Sequence, residues 1–228
     1  MSAKWARLWF AATALCVVAG VALSVVSAVQ TPGHFPTGAE RGFNTFAFFT
    51  IQSNLLVGAT ALLLAIRLDR PSLVFGTFRL IGLVAITVTG IVYHVALSGL
   101  LTLAGLHQLA NQLVHTVVPL LAVTGWLIAG PRGQATARAA WLTPLYPLAW
   151  LAFTLIRGAV ITWYPYPFID VTRLGYAKTV LNCCWVSLLF LGIAAGAAAL
   201  DRRLPGREPL DPSPWTRAPG PEPLDPSL

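Results

Sequence analysis

The chain has 228 residues, 56% of them hydrophobic and 10% charged, with a mean hydropathy of +0.71. That composition argues against a soluble domain and for an all-α membrane protein. The formal net charge of +7 comes without a basic patch interleaved with aromatics, so it does not point to nucleic acid as a partner.

A membrane helix needs about 20 largely apolar residues to cross the hydrocarbon core, and six stretches qualify. The first, Trp5–Val29, follows Lys4 and Arg7 and ends near a small-residue stretch at Ala28, but its apolar run exceeds a normal signal peptide core. We expect a retained first span. The second, Phe43–Ile66, carries Thr50, Ser53 and Asn54 at i, i+3 and i+4, which places them on one helix face. The third, Val74–Leu97, carries His94 near its end. The fourth, His107–Ala129, opens with Gln108, Asn111, Gln112 and His115 at i, i+3, i+4 and i+7, a second polar stripe. The fifth, Pro144–Trp163, contains Arg157, and the sixth, Gly175–Leu200, carries Lys178, Asn182 and Trp185 on one face. Cys16, Cys183 and Cys184 all fall inside spans, so neither a disulfide framework, a metal site nor a cofactor is expected.

From Asp201 onward the composition changes. Eight of the 17 prolines and five of the eight acids lie in this tail, and the six letters from Glu208 to Ser213 return from Glu222 to Ser227. Such a segment lacks the apolar surface to fold, so residues 201–228 are expected to be a disordered, partly polyproline tail on a 1–200 six-span domain. A linker-like tail and a docking segment for a protein partner are the two readings of it.

Charge sets the expected orientation. Lys4, Arg7, Arg67, Arg70, Arg79, Arg132, Arg138 and the tail arginines fall on one side, and Arg41 and Arg173 are the loop arginines of the other. Both termini are therefore expected in the cytoplasm of a multi-pass cell-membrane protein, with a bacterial plasma membrane as its setting.

In that orientation the polar residues form a layer in the outer leaflet. At about 1.5 Å per residue, Thr50 lies about 10 Å along its helix from Phe43 and His115 about 12 Å from His107, while Arg157, His94 and Lys178 lie about 5–9 Å from their helix ends. Ionisable groups inside a membrane cost several kcal/mol unless they face protein or water, so the layer implies a functional cavity. Each residue also has a structural explanation: Thr50 can bond its own helix carbonyl, His94 and Lys178 can snorkel, and Arg157 can pair with Asp170 in the following loop.

Three runs of letters add to this pattern: Phe48-Phe49-Thr50-Ile51-Gln52-Ser53-Asn54, Asn111-Gln112-Leu113-Val114-His115-Thr116 and Tyr166-Pro167-Phe168-Ile169-Asp170. In order and placement they resemble the androgen-induced protein family, which includes the androgen-dependent TFPI-regulating protein and bacterial six-helix relatives. The resemblance covers roughly residues 5–200. Animal members of that family are threonine hydrolases of fatty acid esters of hydroxy fatty acids, so the resemblance implies Thr50 as nucleophile and His115 as general base. Gln112 stands where the animal proteins tend to have a second histidine, Asp170 replaces a longer glutamate, and the repeated tail has no counterpart there.

Chemically, an imidazole within reach of a threonine hydroxyl can take its proton and later protonate a leaving alcohol. Asn54, Asn111 or Arg157 are candidates to orient the base or hold the oxyanion, and Ser53, His94, Asp170, Lys178 and Asn182 to line the pocket. The substrate would be a lipid or fatty-acyl ester drawn from the membrane. A proton-coupled small-molecule transporter and a non-catalytic lipid-binding protein would use the same polar layer and stay open as readings of the residues.

Overall fold

The computed structural model describes residues 2–70, 72–100 and 102–204, and these form helices with no strand among them. The expected tail beyond residue 204 lies outside the described residues. The helices are α1 (Ala3–Gln30), α2 (Gly38–Asn44), α3 (Phe49–Ile66), α4 (Leu73–Val92), α5 (Gly105–Gln112), α6 (Val118–Ile128), α7 (Ala137–Leu142), α8 (Leu145–Ile161) and α9 (Val171–Arg203). Two π-turns, Tyr93–Leu97 after α4 and Leu113–Val117 between α5 and α6, complete the third and fourth spans. By length and apolarity six helical stretches can cross a membrane, with bounds Ala3–Gln30, Phe49–Ile66, Leu73–Leu97, Gly105–Ile128, Ala137–Ile161 and Val171–Arg203.

Several bounds differ from those expected, each for a local reason. The second span does not begin at Phe43: α2 ends at Asn44, a 3-10 turn covers Thr45–Ala47, and Phe48 is extended at ψ 134°, so α3 starts only at Phe49. Thr50 is therefore in the first turn of its helix and not 10 Å into one. The fifth span is broken at Thr143 and Pro144, whose missing N–H interrupts the hydrogen-bond ladder. The sixth starts one turn early at Val171 and kinks at Gly175, where φ is +71°, a conformation only glycine adopts at low cost.

The tail boundary also shifts. Asp201 is buried, accepting the Ala135 N–H through Oδ2 at 2.9 Å and standing 3.9 Å from Arg132, and α9 continues to Arg203. Residues 201–204 thus belong to the folded part.

Small residues let the helices approach around the fourth span. A Cβ added at Gly20 of α1 would meet Val114 at 2.9 Å, and one at Gly90 of α4 would meet Pro119 at 3.2 Å. The second π-turn is clasped between these two glycines. Gly58 likewise lies against Val17, seating α3 on the buried face of α1. By contrast α8, among the described residues, approaches the other helices less closely and is held by side chains, among them Trp150, whose indole N–H donates to the Ala47 carbonyl at 3.0 Å.

Candidate active site

Pro119 explains the second π-turn. In an α-helix the N–H of residue 118 would serve the Val114 carbonyl and that of 119 the His115 carbonyl, but proline has no N–H. Val118 instead donates to Leu113, one residue further back. The ring widens by one residue, and the Val114 carbonyl, reached by neither Val118 nor Pro119, points away from its own helix. Asn54 takes it: its amide donates to Val114 O at 3.1 Å and to Thr50 O at 2.8 Å. Asn54 and Ser53 have no solvent exposure, and the Ser53 hydroxyl bonds the Thr50 carbonyl and Thr89. This bridge ties the start of α3 to the widened turn.

The widened turn presents His115 to Thr50, with Nε2 3.2 Å from the threonine Oγ1. His115 Nδ1 lies 3.2 Å from the Asn111 carbonyl. A carbonyl only accepts, so Nδ1 carries the proton of the neutral ring and Nε2 is left as the acceptor for the threonine O–H. The ring stacks on Tyr93, centroids 4.2 Å apart, and Tyr93 OH accepts from the Asn111 side-chain amide. Orientation of the imidazole therefore comes from a backbone carbonyl and an aromatic face, with no acid involved.

A third group completes the contact. Tyr166 reaches in from the loop before α9, its hydroxyl 3.0 Å from Thr50 Oγ1 and accepting the Thr50 N–H at 3.0 Å. The N-terminus of α3 has no side-chain cap of its own, so this hydroxyl satisfies one of the orphan donors of the first helical turn. With Thr50 donating to His115, its oxygen accepts from Tyr166, and the chain of donors runs Tyr166 to Thr50 to His115 to Asn111. Burial pushes the Tyr166 phenol up to about 12, against hydrogen bonds from Thr50 that lower it, so it remains a protonated donor near neutrality.

The loop carrying Tyr166 is itself built locally. Pro167 opens a 3-10 turn, Phe168 stacks on Tyr166 at 5.3 Å, and Asp170 caps α9 by accepting the N–H groups of Thr172 and Arg173 at 3.0 and 3.3 Å. Asn182 holds the loop from α9, donating to Phe168 O at 2.9 Å.

Thr50, His115 and Tyr166 open onto a cavity of about 230 Å³. Its remaining walls are mostly apolar, with Val88, Leu148, Leu151, Phe168, Val186 and Phe190 among them, and α8 and α9 supply much of the lining. It suits a segment of acyl chain beside one polar corner.

The other candidates stand elsewhere. Arg157 donates to Asn44 Oδ1 at 2.8 Å and lies over Phe35 and Trp163, so neither the cavity nor Asp170 is its partner. Asp170 is committed to its helix cap. Both amide hydrogens of Asn54 are used on carbonyls, one of Asn111 goes to Tyr93, and neither residue lines the cavity. Their contribution is to hold the turn and the His115 ring. Ser53 and Asn182 likewise brace the site without lining the cavity. His94 is exposed and contacts Thr116 at 3.1 Å, and Lys178 is exposed outside the cavity lining. Tyr166 joins the site without being among the residues expected from the sequence. Its signal in the sequence is its place in the Tyr-Pro-Phe run. Comparison of the chain with protein family models, with curated proteins and with solved structures finds no match in any of the three.

Proposed function

We propose that this chain is an intramembrane hydrolase of lipid esters in which Thr50 is the nucleophile and His115 the general base. The observation that carries the reading is the Thr50–His115 contact, with the ring tautomer set by the Asn111 carbonyl, opening onto an apolar cavity. His115 Nε2 takes the Thr50 proton as Oγ1 bonds the ester carbonyl carbon, and the same proton then passes to the leaving alkoxide oxygen. Water, activated by the same imidazole, cleaves the acyl-threonine to free acid and restores the hydroxyl. Tyr166 replaces Asn54, Asn111 and Arg157 as the donor to the oxyanion, from its position against Oγ1. The likeness of the three sequence runs to the androgen-induced protein family agrees with this chemistry and directs the choice of substrates toward esters branching from an acyl chain. The six spans form one bundle in a bacterial plasma membrane, with both termini cytoplasmic and the cavity in the outer half.

Purified protein in detergent, given a panel of lipid esters and a fluorophosphonate probe, tests the reading. Wild type hydrolyses at least one ester and is labelled at Thr50. Thr50→Ala abolishes both, Thr50→Ser retains part of both, and His115→Ala lowers turnover about 10²–10⁴-fold. Full turnover by a folded Thr50→Ala protein refutes the hydrolase. Lipid retention without turnover would make the cavity a binding site.

A further inference from the structure

A second space lies at the opposite end of α3 from Thr50. It is a groove of about 700 Å³ between the C-terminal half of α3 and the first turns of α4, and it shares no lining residue with the Thr50 cavity. The helices are in close contact where Gly82 faces Leu56, an added Cβ meeting the leucine at 3.3 Å, and the groove opens from there toward Arg67 and Ser72.

Its floor and rim differ in chemistry. Leu56, Ala59 and Leu63 from α3 and Val74 and Phe78 from α4 form an apolar floor, while Arg67, Asp69, Arg70 and Ser72 form the rim. Arg67 is exposed and makes no side-chain hydrogen bond or ion pair among the described residues. Arg70 is anchored through Nε, which donates to Leu63 O at 2.9 Å and Arg67 O at 3.2 Å, and its guanidinium lies over Phe75 at 5.8 Å. Its terminal nitrogens make no hydrogen bond among the described residues, and the residue lines the groove. Ser72 caps α4 through its contact with the Phe75 N–H, so the positive end of a 20-residue helix adds to the two arginines. Against this stands one carboxylate, Asp69.

We propose that this groove binds one acidic glycerophospholipid, its phosphate at Arg67 and Arg70 above the N-terminus of α4 and an acyl chain along the floor. The charge requires an anion and the floor requires a chain, so a free phosphate would use only half of the site. The length agrees as well. From Arg67 to Leu56 the groove follows α3 for about 16 Å, close to one leaflet of a hydrocarbon core about 30 Å thick. An orientation signal alone needs only arginines somewhere on that face, as Arg138 illustrates, and does not need them at the mouth of a leaflet-deep groove. The site is independent of the Thr50 chemistry.

Native mass spectrometry of the full chain from mixed micelles holding equal phosphatidylglycerol and phosphatidylcholine reads the preference directly. Wild type retains one phosphatidylglycerol in excess over phosphatidylcholine. Arg67→Gln lowers that preference about fivefold, the effect of about one basic residue at an anionic surface, whereas Arg138→Gln, an exposed arginine away from the groove, leaves it unchanged. Ala59→Phe fills the floor without touching charge and also displaces the lipid, and added inorganic phosphate fails to compete. Equal retention of the two lipids by wild type overturns the proposal. So does an equal loss from both arginine variants, which would mean diffuse charge, or an unchanged preference in a folded Ala59→Phe protein, which would mean a headgroup contact without a groove.

Discussion

Replacing Tyr166 by phenylalanine separates what its hydroxyl does for the fold from what it does for the proposed reaction. The ring stays, with its edge contact to Phe48 at 5.7 Å and its stack on Phe168 at 5.3 Å, so the substitution removes one oxygen and little packing. Two bonds of 3.0 Å are lost, and the Thr50 N–H is left buried without a partner. An orphaned buried donor costs about 1–3 kcal/mol. Thr50 Oγ1 keeps His115, so the contact between the proposed nucleophile and base remains. The expected stability loss is therefore about 1–3 kcal/mol in reversible denaturation by detergent, together with a drop in kcat of about 10²–10³ if the hydroxyl also meets the oxyanion. The phenol is held above its ordinary value, up to about 12. By linkage, the stability that depends on its neutral form is present below its unfolded value near 10 and is lost as pH rises through about 12. Between pH 6 and 9 wild type and Tyr166→Phe should therefore share one pH profile for hydrolysis. A Tyr166→Phe protein as stable as wild type would refute the capping role assigned to this hydroxyl, and unchanged kcat would refute its place at the oxyanion.

Other expectations follow from separate parts of the molecule. Asn54→Leu should lose about 1–2 kcal/mol because the Val114 carbonyl is orphaned; in a Pro119→Ala background, where an N–H returns to the helix, the loss should shrink, and a double-mutant cycle showing no coupling would sink that account of the turn. Glu40 accepts from the Thr37 N–H and hydroxyl in a capping box, and the bond from the Thr37 backbone is the largest cause holding its carboxyl below the usual value. Its contribution is present above its unfolded value and lost as pH falls through the lower folded one, so amide exchange in α2 should rise on acidification in wild type and be pH-independent over that range in Glu40→Gln. Reporters fused after Gly133 or at Leu228 should read cytoplasm and one at Gly38 the outside; an outside reading at Leu228 would overturn the count of six spans and with it the leaflets assigned to both cavities.

The six spans were readable because length and apolarity alone decide whether a helix can cross lipid, and the Thr50 and His115 stripes were readable because 3.6-residue periodicity brings such residues to one face. The interruptions were harder. Nothing in Thr45–Phe48 is a glycine or proline, so the break before α3 comes from tertiary contacts, with Trp150 bonding the Ala47 carbonyl and Tyr166 the Thr50 N–H. Pro119 did announce the second π-turn, but a proline within a span also fits an ordinary kink, and only the captured Val114 carbonyl distinguishes them. Charge alone pairs Arg157 with Asp170; its partner is the neutral Asn44, on a short helix that hydropathy merges into the second span. Composition places Asp201 in the tail, although its carboxylate is part of the fold.

The π-turn at Leu113–Val117 makes the candidate site depend on residue count as well as residue identity. A π-turn accommodates one residue more than the α-helical turn it replaces, and each residue advances a helix by about 100°. Deleting a single residue between Gly105 and His115 would close this turn to α-helical geometry with the two ends of the span in phase, and would turn the residues between the deletion and the former π-turn, His115 with them, by up to that angle. His115 would then face a neighbouring helix or lipid while every side chain named in the site was still present. Point substitutions and single deletions in this segment should thus fall into different classes of damage, the first graded and the second all-or-none.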